Sequence, residues 1–347
     1  MKSTKIFLVL ILVIICIASF TACSATEQYF VFGTFLTVDV ASSVRPSKDA
    51  RTVKSYMDAL EKILSPTLEG SDLNRINNAE VGVPVVCHAE TMEIMSVAEY
   101  VFEASDGAYD PSVYPLVRLW KFSGDTFGEL SAFTPPTAAE ILLKKAVVGL
   151  DKAFKADYEN RTITKLLPGA MLDFGGIAKG YASDLARDIV SAKKMLIDLG
   201  GNISAKGKTY TIAVANPSRR DRQFATPYFG VLELKDGECI STSGDYERYY
   251  TVKAGDASVY YHHIINPATG YPADTSGADG VVSATVISSN GAFADAVATA
   301  IVVLGKEKGL ALLEALEKDG RYPFSSVVIN GEMKSETFGN ISFEIEV

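Results

Sequence analysis

Histidine, cysteine and tryptophan are scarce in this chain, which has three, four and one of them among its 347 residues. No Cys/His cluster has metal-ligand spacing, so a zinc site is not expected. No Gly-x-Gly-x-x-Gly follows a predicted strand and no Gly-Lys-Ser/Thr closes a phosphate loop, which argues against dinucleotide-binding and P-loop folds. No persuasive Gly-x-Ser-x-Gly elbow or Ser/His/Asp order indicates a hydrolase of that type.

Basic residues are fewer than acidic ones, 33 against 42, and the formal net charge is −9. Removing Lys2 and Lys5 with an N-terminal signal lowers this charge to −11. Proteins that bind nucleic acid present a basic face to the phosphate backbone, so no nucleic-acid partner is expected. An anionic ligand would need local help from a metal ion or a placed lysine.

The N-terminal segment is typical of a secretory signal. Lys2 and Lys5 precede an apolar run from Ile6 to about Phe20. This run is shorter than the ~20 apolar residues that a spanning helix needs. A charged start, a short apolar core and small residues at its end describe a signal peptide.

Cys23 follows directly after Thr21-Ala22 and resembles the cysteine of a bacterial lipobox, although Phe20 stands where Leu is commoner. We therefore predict a lipoprotein signal peptide over residues 1–22 and a single domain over residues 23–347. The mature chain would be lipidated at Cys23 and face outward from the cytoplasmic membrane. An uncleaved anchor is the alternative, and it places the remaining chain outside the cytoplasm as well.

Two further cysteines remain in the mature chain, Cys87 and Cys239. They could pair in an oxidising compartment, and two separate buried thiols are an equally good alternative.

Helical and strand patterns are mixed without strict alternation, which indicates an α+β fold with mixed or antiparallel sheets and packed helices in one composite domain. The apolar spacing predicts helices over residues 49–63, 90–105, 137–146, 179–192, 292–304 and 306–317. Strand patterns are predicted over residues 30–41, 154–166, 246–252, 260–265, 281–288 and 327–347, with hairpins at 159–160 and 330–331.

One segment near the middle of the chain brings three chemical groups together. Leu172 to Ala182 contains a carboxylate, Asp173, then the pair Gly175-Gly176, and then Lys179. The backbone of the glycine pair, the carboxylate and the ammonium group could all contact one ligand there. A phosphate-bearing ligand is plausible for such a segment.

Asp295 and Thr299 lie four residues apart in a predicted helix and therefore share one face. A carboxylate and a hydroxyl at that spacing offer two hard oxygens, which magnesium prefers. The pair alone is weak evidence, since the solvated edge of a packed helix has the same appearance.

His262 and His263 end a predicted strand before a Pro/Gly turn. A histidine there could act as a general base near neutral pH, and a strand-end histidine bonded to backbone is the alternative. The preceding segment, Ile240 to Tyr249, is rich in hydroxyls and is predicted as a loop. It could bind phosphate or ribose oxygens, or be an ordinary turn.

Eight short motifs occur in one order along the chain. They are Gly33-Thr34, Ser65…Ser71-Asp72…Arg75-Ile76-Asn77, Gly107-Ala108-Tyr109-Asp110-Pro111, Asp173…Gly175-Gly176-Ile177-Ala178-Lys179-Gly180-Tyr181, Asp198-Leu199-Gly200-Gly201-Asn202, Thr242-Ser243-Gly244-Asp245-Tyr246, His263…Pro267…Thr269-Gly270 and Ala294-Asp295…Thr299. In this order and spacing the chain resembles the ApbE family over nearly the whole mature sequence.

The resemblance implies a flavin transferase that is typically a bacterial lipoprotein or a periplasmic protein. FAD would be cleaved at its pyrophosphate, FMN joined to a Ser or Thr of a target protein, and AMP released, with Mg²⁺ required. The target would be an extracytoplasmic subunit of a membrane redox complex. Two alternatives stay open, namely an Mg²⁺-dependent FAD pyrophosphatase and a non-catalytic FAD-binding lipoprotein.

The resemblance also implies roles for individual residues. The implied Mg²⁺ ligands are Asp295, Thr299 and backbone oxygen from Gly176 and Ala178. The implied FAD contacts are Phe32, Ala108, Tyr109, Asp110, Asp173, Lys179, His263 and Ile264. The implied catalytic groups are Asp295, Lys179 and His263, with His263 as the base for the incoming hydroxyl.

A segment before the predicted metal helix, Asp279 to Thr285, partly resembles the acceptor motif of this family's targets, Asp-x-x-Ser/Thr-Gly/Ser-Ala-Thr. A core strand is the plainer interpretation, and self-modification at Thr285 is the alternative hypothesis.

Overall fold

The computed structural model describes residues 24–123, 133–218, 227–254 and 257–345. The predicted signal peptide and Cys23 lie outside these residues. In the described part of the chain, no helix has the length and apolar character needed to cross a bilayer.

Nine helices lie within the described residues, and they range from 4 to 19 residues in length. Their bounds are α1 (Pro46–Leu64), α2 (Asp72–Asn78), α3 (Ala89–Ala104), α4 (Tyr114–Leu119), α5 (Ala138–Lys145), α6 (Leu150–Ala153), α7 (Ala178–Ala186), α8 (Gly291–Leu304) and α9 (Lys306–Asp319).

The strands fall into one large sheet and three small ones. Their bounds are β1 (Ala25–Val31), β2 (Thr34–Ala41), β3 (Pro84–Val86), β4 (Phe154–Asp157), β5 (Thr162–Lys165), β6 (Lys194–Leu199), β7 (Asn202–Lys206), β8 (Tyr210–Ala215), β9 (Tyr228–Leu234), β10 (Cys239–Gly244), β11 (Tyr249–Ala254), β12 (Ala257–His262), β13 (Val281–Ser288), β14 (Phe324–Asn330), β15 (Ser335–Phe338) and β16 (Phe343–Ile345).

The large sheet has eight strands in the order β1-β2-β6-β7-β10-β13-β14-β15, and every neighbouring pair is antiparallel. Helices α7 and α8 pack on one face of this sheet. The small sheet β16-β9-β8 covers the other face from β6 onward through a second apolar cluster. The predicted α+β fold with antiparallel sheets and packed helices is therefore confirmed.

Covering on both faces explains the composition of β13. All eight of its residues, from Val281 to Ser288, are buried. Thr285 has no exposed surface, and its hydroxyl lies 2.9 Å from Thr242 Oγ1. The core-strand interpretation of this segment is therefore confirmed, and in the folded chain Thr285 offers no accessible acceptor hydroxyl.

The first predicted strand is wrong in one respect, because residues 30–41 do not form a single strand. The chain reverses at Phe32 and Gly33, which have φ angles of +53° and +67°. Two successive residues with positive φ form the kind of tight turn that suits the twist of a hairpin. Strands β1 and β2 therefore pair with each other, with Val31 opposite Thr34.

The helix predicted over residues 179–192 ends early, at Ala186. Lys206 on β7 explains the end, because its Nζ donates to the carbonyl oxygens of Arg187 (2.9 Å) and Val190 (3.1 Å). A lysine that binds terminal carbonyls stabilises a helix end.

Residues 240–244, predicted as part of a hydroxyl-rich loop, belong to strand β10 instead. The predicted strand over 246–252 begins only at Tyr249.

Cys87 and Cys239 are both buried and both free. Of the two alternatives that the sequence left open, two separate buried thiols is therefore the one confirmed. Cys239 Sγ instead accepts a contact from Arg187 Nη1 at 3.4 Å.

Candidate active site

Helices α7 and α8 cross at their first turns, and the crossing positions the predicted metal-binding carboxylate. Gly180 lies near the start of α7, and Gly291 is the first residue of α8. A Cβ atom on Gly180 would lie 2.1 Å from the Gly291 carbonyl oxygen and 2.8 Å from the Asp295 Cβ atom. Only glycine allows two backbones to approach this closely.

Each helix supplies a carboxylate to the first turn of the other. The Gly180 N–H donates to Asp295 Oδ2 at 3.1 Å, and the Gly291 N–H donates to Asp184 Oδ2 at 3.0 Å. The first N–H groups of a helix have no partner within the helix and lie at its positive end. Asp295 therefore points at the start of α7 and not at solvent.

Asp295 is only 2% exposed. Lys179 Nζ lies 3.7 Å from its Oδ2, and the Asn202 amide nitrogen, oriented to satisfy its neighbours, donates to Oδ1 at 3.2 Å. Burial raises the pKa of the Asp295 carboxyl, while Lys179 and the Gly180 N–H act against this rise. A buried carboxylate with a single ammonium neighbour is stabilised by further positive charge.

Oxygen atoms gather around Thr299, one turn after Asp295. The Thr299 hydroxyl donates to the Asp295 carbonyl oxygen at 3.1 Å and lies 3.1 Å from Ser243 Oγ. A Cβ atom on Gly176 would lie 3.1 Å from Thr299 Oγ1, so bare backbone borders the same recess. Within the described ranges, no three His, Cys, Asp or Glu side chains converge as a ligand set. One carboxylate with hydroxyls suits Mg²⁺, which keeps positions for water and substrate phosphates.

The segment before α7 is folded around Asp173. Its Oδ1 accepts from the Gly175 N–H at 3.1 Å, and its own N–H donates to the Pro111 carbonyl oxygen at 2.9 Å. Lys179 Nζ donates to the Gly175 carbonyl oxygen at 2.7 Å. Burial raises the pKa of Asp173, and Lys179 and Arg248 are nearby charges that lower it. The carboxylate, glycine pair and lysine of the central motif therefore do lie together.

Tyr109 faces this cluster with an unsatisfied hydroxyl. The residue is 3% exposed, and its Oη has no hydrogen-bond partner among the described residues. Its Cε2 would lie 3.5 Å from a Cβ atom on Gly176. Burial raises the pKa of Tyr109, and the charges of Asp295 and Asp173 raise it further. A buried hydroxyl without a partner costs free energy, so a ligand that accepts from it would be favoured.

The neighbouring Asp110 is occupied within its own loop. Its Oδ1 accepts from the Ser112 N–H at 2.8 Å and from Ser112 Oγ at 2.6 Å. Burial raises the pKa of Asp110 to about 6. This carboxylate shapes the turn that presents Tyr109.

Three other predicted contacts are packed into the interior. Ala108, Ala178 and Ile264 are 9%, 4% and 6% exposed. Ala178 N–H donates to the Phe174 carbonyl oxygen at 2.8 Å. Only their backbone atoms or a small edge of the side chain can meet a ligand.

The two adjacent histidines have different roles. His262 is 2% exposed, and its ring lies between the Ala273 carbonyl oxygen (2.8 Å) and the Ile264 N–H (3.3 Å). It is the backbone-bonded strand-end histidine of the alternative interpretation. His263 Nδ1 is buried without a partner among the described residues. Burial lowers the pKa of His263 to about 3, with smaller contributions from His262, Arg248 and Lys179.

Arg248 is a site residue to which the sequence analysis assigned no role. Its Nη2 donates to the Gly33 carbonyl oxygen at 3.4 Å, and its own carbonyl oxygen accepts from the His263 N–H at 3.1 Å. It thus connects the β1–β2 turn to the histidine, and its charge lowers the pKa of Asp173. Phe32 in the same turn packs against the core, and its N–H donates to Glu61 Oε1 at 2.9 Å. No local pattern distinguishes Arg248, because its position depends on the packing of two separate hairpins.

The chain is similar to known proteins over most of its length. A profile of the ApbE family matches residues 32–322. A protein of Treponema pallidum named FAD:protein FMN transferase is 31% identical over 309 residues, covering 82% of this chain and 79% of that protein. A Vibrio cholerae protein of the same name is 30% identical over 279 residues, covering 77% of this chain and 78% of that protein.

Solved structures agree with the sequence relatives. The ApbE protein of Thermotoga maritima superposes with a TM-score of 0.77 at 29% identity, covering 90% of this chain and 96% of that one. The matched range includes the turn at Gly33, the crossing of α7 with α8 and the β11–β12 hairpin that ends at His262, so the chain belongs to the ApbE family.

Proposed function

We propose that this chain is an FAD:protein FMN transferase that uses Mg²⁺ and transfers FMN to a Ser or Thr hydroxyl of an acceptor protein. The observation that carries the proposal is the buried Asp295 carboxylate at the crossing of two helices, beside Lys179 and Thr299. Relatives that share the fold and about a third of the sequence are named for this activity.

The reaction exchanges the phosphoanhydride bond of FAD for a phosphoester bond to the acceptor. The acceptor hydroxyl oxygen forms a bond to the FMN-side phosphorus of FAD, and the bond from that phosphorus to the bridging oxygen breaks. The bridging oxygen leaves with AMP, and the hydroxyl proton passes to a base. Catalysis of such a transfer depends mostly on positioning and on stabilising negative charge.

Positive charge at the site comes from two side chains. Lys179 Nζ lies at the start of α7, where the N–H groups of a helix also favour anions. Arg248 lies at the Gly33 turn, and both cations are near Asp173 and His263. In a chain with a formal net charge of −9, these two cations would localise the diphosphate.

Mg²⁺ would be held by Asp295 and Thr299 with backbone oxygen from Gly176 and Ala178. Bound there, it would neutralise charge on the diphosphate and so favour departure of AMP. The oxygen-only donors and the recess beside Gly176 support this assignment.

His263 is the proposed base for the acceptor hydroxyl. Its lowered pKa keeps the ring neutral at physiological pH, so that it can accept a proton. The negative charge of a bound diphosphate would bring that pKa back toward its ordinary value. The Tyr109 hydroxyl would donate a hydrogen bond to the substrate. Phe32, Asp110 and Ala108 would line the FAD site.

Location and partner are part of the proposal. The lipobox-like cysteine, Cys23, supports a lipid anchor on the outer side of the cytoplasmic membrane. An enzyme held there would modify extracytoplasmic segments of membrane redox proteins.

Mass spectrometry of an acceptor tests the function. The full chain in detergent would be incubated with FAD, Mg²⁺ and a carrier protein bearing an Asp-x-x-Ser-Gly-Ala-Thr segment. We expect a mass gain of one FMN, with AMP released in equal amount. Asp295→Ala should abolish the gain, and Asp319→Ala, a control at a surface aspartate bonded to Tyr100, should retain it.

Two other results would contradict the proposal. Unmodified acceptor with accumulating FMN and AMP would identify a pyrophosphatase. Unchanged FAD with measurable FAD binding would identify a flavin-binding protein without chemistry.

A further inference from the structure

Phe30 and Phe35 form a solvent-exposed aromatic pair. They lie directly opposite each other on β1 and β2, with ring centroids 5.7 Å apart in an edge-to-face arrangement. Their exposures are 65% and 68%, and no other phenylalanine in the described ranges is exposed. Exposed aromatic side chains are typical anchors of protein–protein contacts.

The pair lies on the outer face of the large sheet. Side chains alternate along β2, so Leu36 and Val38 enter the main core while Phe35 points the other way. The small sheet β16-β9-β8 covers this outer face only from β6 onward, and its apolar cluster includes no residue of β1 or β2. Within the described part of the chain, the aromatic pair thus lies beyond the edge of that cover.

The pair also lies at the end of the sheet that carries the candidate active site. Phe30 and Phe35 flank the turn at Phe32 and Gly33, whose carbonyl oxygen accepts from Arg248. At the same end, the turn between β6 and β7 precedes Asn202, which contacts Asp295. The aromatic pair therefore lies at the same end of the sheet as the site, on the face opposite α7 and α8.

We propose that Phe30 and Phe35 dock the acceptor protein whose hydroxyl receives FMN. This inference rests on the proposed function. A protein partner usually covers about 800 Å² on each side, a disc with a radius of roughly 16 Å. The Cα atoms of Phe30 and Phe35 are at most about 11 and 8 Å from that of Gly33, since consecutive Cα atoms are about 3.8 Å apart. A partner that inserts a hydroxyl beside Arg248, at the Gly33 turn, is therefore wide enough to reach the pair.

The edge position of β1 defines the form of the bound segment. Within the described residues, β1 pairs only with β2, so one side of its backbone has no strand beside it. An extended segment of a partner can add to such an edge through main-chain hydrogen bonds. Its side chains on one face then contact the neighbouring surface of the sheet. The acceptor segment would lie along β1 with apolar side chains on Phe30 and Phe35.

Acceptor kinetics test this inference. The double variant Phe30→Ser/Phe35→Ser would be assayed as the full chain with FAD, Mg²⁺ and the carrier protein bearing the Asp-x-x-Ser-Gly-Ala-Thr segment. We expect the KM for the acceptor to rise by about tenfold or more, since truncated aromatic anchors dominate such contacts. The kcat and the affinity for FAD should be unchanged, because both side chains lie on the sheet face opposite α7 and α8.

Two further variants provide controls. Leu142→Ser/Leu143→Ser removes two residues of similar exposure, 67% and 70%, from helix α5 and should leave the acceptor KM unchanged. Phe30→Tyr/Phe35→Tyr keeps the aromatic rings and should retain the wild-type KM.

An unchanged acceptor KM in the serine variant would overturn the docking role. If that variant instead lost binding to vesicles of phosphatidylethanolamine and phosphatidylglycerol while keeping its KM, the pair would contact lipid and the proposal would be wrong. A wild-type chain that transfers no FMN would contradict the proposed function itself, and a shifted KM with normal kcat would not occur in that case.

Discussion

At the scale of single residues, two side chains of the candidate site each carry a buried polar atom without a hydrogen-bond partner. Tyr109 Oη and His263 Nδ1 have no hydrogen-bond partner among the described residues, and both belong to motifs that the sequence singled out. By contrast, His262 and Asp110 are satisfied by nearby backbone and hydroxyl groups. Residue type alone does not distinguish the two members of each pair, whereas the hydrogen bonds separate the residue with an unsatisfied group from the one held by the fold.

His263 makes stability depend on pH in a defined direction. Its pKa is about 3 in the folded chain against 6.5 as its ordinary value. Between these values the unfolded chain binds a proton that the folded chain does not, so stability is lost as pH falls from 6.5 toward 3. Relative to His263→Gln, the wild-type free energy of unfolding should fall by at most about 1.4 kcal/mol per pH unit in this window.

Urea denaturation of both proteins at several pH values measures this difference. Taking the difference cancels the opposite trend of Asp173, Asp295 and Asp110, whose raised pKa values favour the folded state in acid. A difference that does not vary between pH 6.5 and 4 would show that His263 is not buried in its neutral form.

At the scale of elements, the site depends on how two helices approach each other. The prediction of helices over 292–304 and from 179 onward is confirmed, because their apolar spacing is regular. Their crossing was not predictable, because it depends on Gly180 and Gly291 lying in contact although 111 positions apart in the chain. From its local sequence alone, Gly180 could equally have been a residue that contacts a ligand.

Gly180→Ala should therefore be strongly destabilising. A methyl group there would lie 2.1 Å from the Gly291 carbonyl oxygen, so the helices must separate and Asp295 must lose the Gly180 N–H. We expect a loss of about 3 kcal/mol in the free energy of unfolding, the upper range for overpacking, and weaker Mg²⁺-dependent binding of FAD.

Gly309→Ala in helix α9 is the matched control. A methyl group there would lie 3.1 Å from the Ile301 Cγ2 atom, a side-chain contact that can relax. Its effect should be small, because alanine is also the better helix former. Equal stability of the two variants would contradict the interpretation of Gly180 as a packing residue.

At the scale of the whole molecule, the fold gathers distant motifs at one end of one sheet. Three features surround one recess although they are far apart in the chain. They are the β1–β2 turn at residues 32–33, the end of β10 at Ser243, and the helix crossing where Gly180 meets Asp295. Antiparallel order makes this possible, since alternate strand ends and their turns line the same edge.

The predicted lipid anchor also acts on the whole molecule. Cys23→Ser should prevent both acylation of the chain and cleavage of the signal peptide by lipoprotein processing. Cys16→Ser, inside the apolar run, should leave both steps intact. Intact mass and membrane fractionation of the expressed full chain measure both effects. A wild-type mass that still includes residues 1–22 would support an uncleaved anchor instead.

The sequence by itself determined the fold class, most element positions and the family, because these depend on local periodicity and on short motifs in a fixed order. Residue type and spacing also drew attention to Asp173, Lys179, Asp295 and Thr299, and the resemblance to the ApbE family supplied the roles predicted for them. Only the tertiary structure decided that Arg248 and Asn202 join them, that Cys87 and Cys239 stay apart, and that Phe30 and Phe35 remain exposed. Those properties depend on which strands and helices become neighbours, and contacts between residues far apart in the chain leave no local pattern in the sequence.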